Sequence, residues 1–213
     1  METIQVSGEH VFDELARYRQ EWRTTHRYPF IIGNDRDLES LRDMCEPPSD
    51  DGKEIIEQAM NFDIKTWLLE HAPKKKSAWP KKPLSPNSGI LSVNDTLTGQ
   101  RKPQIHIGFV ETTCDWHVYA KLGYGGWNDC PPPHVHVALH KYWDEQYKTS
   151  LIYLSGDTVE TLVKAPVTEK TKALALAEEQ YGYCYDIVEQ GMGTVGKLAS
   201  SLLNSRYWYF WWD

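Results

Sequence analysis

The stretch "SRYWYFWWD" (Ser205–Asp213) sets the hardest condition on any fold for this chain. Six aromatic side chains follow one another, whereas chain segments with nothing to dock on are usually polar. Left in water, six adjacent rings make a contiguous apolar patch of the kind that marks an interface or an aggregation hazard. In an extended strand Tyr207, Tyr209 and Trp211 point to one side and Trp208, Phe210 and Trp212 to the other, so both faces demand cover. The pattern predicts a strand buried in a sheet, inside it rather than at its edge.

A chain of 213 residues can supply that cover, because a domain of this size buries roughly 70% of the surface its unfolded chain exposes. Val11, Leu15, Tyr18 and Trp22 recur at spacings of three and four, which predicts a helix over 9–23. "YPFIIG" (Tyr28–Gly33) reads as a buried strand. "DRDLESLRDMC" reads as a helix capped by Asn34 or Asp35, and helical spacing continues over Lys53–His71. Residues 1–71 thus form a smaller N-terminal α/β portion.

Composition changes over 72–103, where "APKKKSAWPKKPLSPNSG" holds five lysines and four prolines. Proline removes helix and central-strand options, so this segment is expected to be a long exposed connection, pinned in part by Trp79. Residues 104–213 read as a C-terminal α+β domain. A strand covers Gln104–Thr112 and a second lies near "WHVYAKL". The turn "GYGGWNDCPPP" precedes a helix through "HVHVALHKYWDEQYK". A hairpin turns at Gly156-Asp157, a helix follows with Thr168 as N-cap, and a last helix spans Thr194–Leu203. The expected architecture is α+β: a mixed sheet flanked by helices, with the aromatic strand buried in it.

Charge and cysteine usage exclude several function classes. Thirty acidic against 23 basic side chains leave a net charge of -7, which lacks the basic footprint of a nucleic-acid binder and suits a basic partner. No basic n-region and apolar h-region opens the chain, and no run of about 18 apolar residues could span a membrane. The expectation is a cytoplasmic protein whose four cysteines are free thiols.

Candidates for chemistry each have a plainer reading. His136 and His140 share a helix face, with Cys130 and His134 upstream and Cys114 and His117 further back, but the spacing fits no zinc motif. Surface histidines are the better reading, and neither metal nor cofactor is expected. Asp157, Glu160, Glu179 and Asp186 could be paired carboxylates for acid-base work, or a turn residue and solvated helix acids. Cys184 has no adjacent histidine to activate it and reads as a buried structural thiol. Trp127-Asn128, after two glycines, is either a binding turn or a packing corner.

Four ordered stretches, "GGWNDCPPPHVHVALHKYWDEQY", "LSGDTVE", "ALALAEEQYGYCYDIVEQG" and "YWYFWWD", resemble a bacterial family known as domain of unknown function 4253. The resemblance spans roughly Gln104–Asp213. It implies that the aromatic ending belongs to the fold, and it brings no activity with it.

With no convincing nucleophile or metal set, and with many tryptophans and tyrosines of the kind enriched at interface hot spots, the leading expectation is a non-catalytic protein-binding domain. The specific form expected is an immunity protein that neutralises a toxin by occluding it, with Trp127, Asn128, Asp157, Glu160, Glu179 and Asp186 as candidate binding residues. The alternative is a metal- or carboxylate-dependent hydrolase acting on a nucleotide or similar small substrate.

Overall fold

Aromatic and β-branched side chains on both sides of Tyr28–Gly33 leave that run no stable place but a sheet interior. In the computed structural model, which describes residues 1–75 and 77–213, it is strand β2 (Arg27–Gly33) and every residue after Arg27 is buried. Lys76 of the lysine-rich connection lies outside the described residues. The other strands are β1 (Glu2–Ser7), β3 (Gln104–Glu111), β4 (Thr149–Leu154), β5 (Thr158–Val163) and β6 (Tyr207–Trp211). They form one six-stranded mixed sheet in the order β1-β3-β2-β4-β5-β6. Pairing is antiparallel except between β2 and β4. Strands from both ends of the chain therefore interleave, with β3 between β1 and β2.

Each face of the sheet has its own core. On one, Ile31, Ile105, Ile107, Phe109 and Tyr153 pack under helix α1 (Val11–Thr25) and under Ile90 and Val93 of the connection. On the other, Tyr28, Phe30, Ile32, Leu154, Val159, Trp208 and Phe210 join a larger cluster. Helices α2 (Asp35–Met44), α3 (Lys53–Met60), α4 (Ile64–Glu70), α5 (His117–Leu122), α6 (Pro133–Tyr147), α7 (Lys170–Tyr183) and α8 (Val195–Leu202) all contribute to that cluster, with a π-helix at Ile187–Met192. Helix α2 starts as its sequence requires: Asn34 accepts the Asp37 backbone N–H and Asp37 accepts that of Asn34, a complete capping box.

Several expectations are corrected. "WHVYAKL" is helix α5 and not a strand, because Val118, Tyr119, Ala120 and Leu122 are all buried and so short an all-apolar run shows no periodicity. The helical spacing over Lys53–His71 is broken at Asn61–Asp63, where the Asp63 carboxylate caps α4 on Thr66 N–H. Glu169 rather than Thr168 precedes α7. The connection is not wholly exposed, since Ile90 and Val93 are core residues. Strand β6 is buried as its composition demands, yet it holds the outer position in the sheet. Trp208, Phe210 and Trp212 sink into the helical side while Tyr207, Tyr209 and Trp211 stay half-buried, so helices and connection provide the cover that a further strand would have given.

Candidate functional site

Four of the six candidate binding residues converge, and what they hold is the chain's own aromatic ending. The Asp157 carboxylate accepts the Trp211 indole N–H at 3.3 Å, and its backbone carbonyl accepts Trp212 N–H at 3.1 Å. Asp186 accepts Asp213 N–H at 3.3 Å, while Asn128 Nδ2 donates to the Asp213 carbonyl at 3.0 Å. The Trp127 ring meets Trp212 edge to face with centroids 6.5 Å apart. Cys184, buried as expected, adds a thiol bond to the Trp211 carbonyl. The turn can seat the tail because Gly125 has φ 109°. A Cβ there would stand 2.2 Å from the Pro131 carbonyl and 2.7 Å from the His136 ring.

The two remaining carboxylates lie elsewhere. Strand alternation turns Glu160 to the face opposite Val159, where it is fully buried and accepts the backbone N–H groups of Leu91 at 2.9 Å and Ser92 at 2.8 Å. Glu179 reaches from α7 to α6 and accepts Trp143 Nε1–H at 2.9 Å and the Tyr142 hydroxyl at 3.2 Å. Burial pushes both carboxyls above the ordinary range. The four carboxylates thus make three kinds of structural tie: tail, connection, and helix to helix. Among the described residues no group of three His, Cys, Asp or Glu side chains is arranged to hold a metal ion.

His136 and His140 are core residues, which corrects the surface reading: α6 is buried along Val135–His140 and again at Trp143. The Tyr183 hydroxyl bridges them, 2.6 Å from His136 Nδ1 and 3.1 Å from His140 Nε2. Tyr119 closes on His140 at 3.1 Å, and Cys130 Sγ lies 3.3 Å from His136 Nε2. Desolvation lowers His136 strongly and His140 to about 3, so both rings are neutral at pH 7. The same desolvation raises the Cys130 thiol, which leaves the Cys130–His136 pair uncharged and unlike an activated nucleophile.

On the outside, charge is sharply sorted. Residues 34–63 hold ten acidic and three basic side chains, which accounts for the whole net charge; the rest of the chain carries twenty of each sign. Asp35, Glu39 and Asp43 on α2, Glu46 and Asp51 in the following loop, and Glu54 and Glu57 on α3 are exposed, as are Met44 and Met60. Across 72–103 the balance reverses to seven basic against one acidic. Part of that segment roofs a cleft of about 1170 Å³ lined by Lys74, Lys75, Lys81, Lys82 and Lys197. There the Ala78 carbonyl packs over Gly196, 2.0 Å from where a Cβ would sit.

Motif-based reasoning missed Gln180. It falls on the buried stripe of α7 with Ala173, Leu176 and Ala177, a polar amide at a core position, and that spacing was the available signal. No helix among the described residues is long and apolar enough to cross a membrane. Residues 106–213 match the family model described as "Domain of unknown function (DUF4253)". No curated protein and no solved structure matches the chain. The matched segment begins within β3 and takes in the histidine–tyrosine network and the tail, while the acidic sector precedes it.

Proposed function

The chain belongs to the DUF4253 family, and from that premise we propose that it is a non-catalytic protein-binding domain, an immunity protein of the cytoplasm that occludes a basic toxin. The single observation that carries this reading is the acidic sector at 34–63, where α2, the loop and α3 carry exposed carboxylates and also exposed Met44 and Met60. Carboxylates steer a basic partner into encounter, and methionine adapts its shape to an apolar contact once the partner has docked. Most tryptophans and tyrosines pack in or against the two cores, and the candidate binding residues Trp127, Asn128, Asp157, Glu160, Glu179 and Asp186 are engaged within the fold, so the proposed contact surface is this sector instead. A hydrolase draws no support from four carboxylates each engaged in a structural tie.

The test is capture of the tagged full chain from its native cells at low and at high salt, with mass spectrometry of the bound proteins. A stoichiometric basic protein that is released by salt and loses its toxic activity in the complex supports the proposal. Captured proteins of acidic or neutral charge, or capture indifferent to salt, would overturn it.

A further inference from the structure

Burying an amide without a partner costs about 1–3 kcal/mol, so an unpartnered buried amide calls for an explanation such as a bound water, ion or ligand. Gln180 is 1% exposed, and neither its Nε2 nor its Oε1 has a partner among the described residues. Trp208, equally buried, has an unpartnered indole N–H. Both residues line one cavity of about 150 Å³ on the outer side of β6, whose apolar walls include Ile187, Leu198 and Leu202. None of the other unpartnered buried polar groups lines it. The π-helix, a rare element frequent at functional sites, forms part of the lining through Ile187, Met192 and the exposed Gln190 and Gly191.

We propose that this cavity is a binding site for a small neutral planar molecule that carries a carboxamide or lactam edge. Size sets the first limit, since an apolar cavity of about 150 Å³ holds a single aromatic ring. Hydrogen-bonding capacity sets the second. A carboxamide edge offers a donor beside an acceptor, and that pair satisfies both atoms of the Gln180 amide in either of its flipped orientations. The Trp208 N–H supplies one more donor for the ligand carbonyl. Charge sets the third limit, because no lysine or arginine lines the cavity and the Asp186 carboxylate does, which disfavours an anion. This site is separate from the acidic sector and does not depend on the docking proposal.

The experiment measures binding of benzamide and 2-pyridone to the purified full chain by saturation-transfer NMR and calorimetry. Toluene serves as the shape control and benzoate as the anionic control. The expected result is that the two amides bind at least about tenfold more tightly than toluene or benzoate, the worth of one buried hydrogen bond. Gln180→Leu removes that advantage and leaves toluene binding unchanged. Gln180→Met serves in its place if the leucine variant does not fold. A crystal soaked with benzamide gives a readout that needs no variant, with the carboxamide on Gln180. Absence of amide binding, amide binding indifferent to Gln180, equal binding of toluene, or water alone against Gln180 in the soaked crystal would each overturn the proposal.

Discussion

The carboxylate of Glu160, buried in β5, accepts the backbone N–H of Ser92 across 68 residues of sequence. Together with the bond from Leu91 it fastens the connection over one face of the sheet, where Ile90 and Val93 complete the core. Glu160→Ala leaves two amides without an acceptor and frees that cover. A loss of about 2–4 kcal/mol in urea unfolding is expected. Proteolytic cleavage within 84–100 should appear in the variant, and an intact connection at equal protease would contradict this role.

The tail is core on one side only. Phe210 is fully buried and stacks on Trp143 at 5.5 Å with an interplanar angle of 7°. Phe210→Ala should lower stability by about 3–5 kcal/mol, as large-to-small core changes of aromatics do. Tyr209→Ala, on the half-buried side, should lose markedly less. Equal losses in guanidinium titrations would mean that the two faces of β6 are equally buried.

Acid sensitivity should originate in α6. A histidine lowered from 6.5 to about 3 binds its proton only in the unfolded chain, so its contribution is complete above pH 6.5 and falls as pH drops toward 3. The slope is about 1.4 kcal/mol per pH unit for His140. Asp115, raised to about 6, acts in the opposite sense: its contribution is complete below about pH 4 and is lost as pH rises through 6. His140→Gln keeps partners for Tyr119 and Tyr183 but cannot ionise. Unfolding free energies at pH 4–6.5 should therefore depend less steeply on pH in the variant, and an unchanged slope rules the assignment out.

Reversing charge on α2 should separate docking from folding. Glu39 and Asp43 are exposed and make no ion pair among the described residues. The double change Glu39→Lys, Asp43→Lys should move stability by no more than about 0.5 kcal/mol. Association with the captured partner should slow by about tenfold or more at low salt and approach the unaltered rate at high salt. A rate that stays the same would remove α2 from the interface.

Much of the fold was legible wherever one face of an element is apolar. The spacings in α1, the cap residue at the start of α2 and the run "YPFIIG" each announce their element. Legibility fails where burial is complete, as in α5, or where the pattern is faint, as in β1, whose residues are half-buried or exposed along its length. Burial of β6 could be read from its composition; its outer position could not, because a strand cannot reveal whether a helix or another strand covers it. The candidate carboxylates were picked out by residue type alone. Their roles depend on partners far along the chain, such as Ser92 for Glu160 and Trp143 for Glu179, and no local spacing encodes those.

Because β3 is inserted between β1 and β2, the hydrogen-bond ladder runs back and forth between the two ends of the chain. A cut at the exposed turn Asp95–Gly99 would leave two pieces, each with bare strand edges and half a core. Neither piece should be soluble alone, since unpaired apolar edges invite aggregation. Produced together they should reassemble, each serving as the template for the other's strands, so the protein is at once indivisible as a fold and divisible as a reporter of its own assembly.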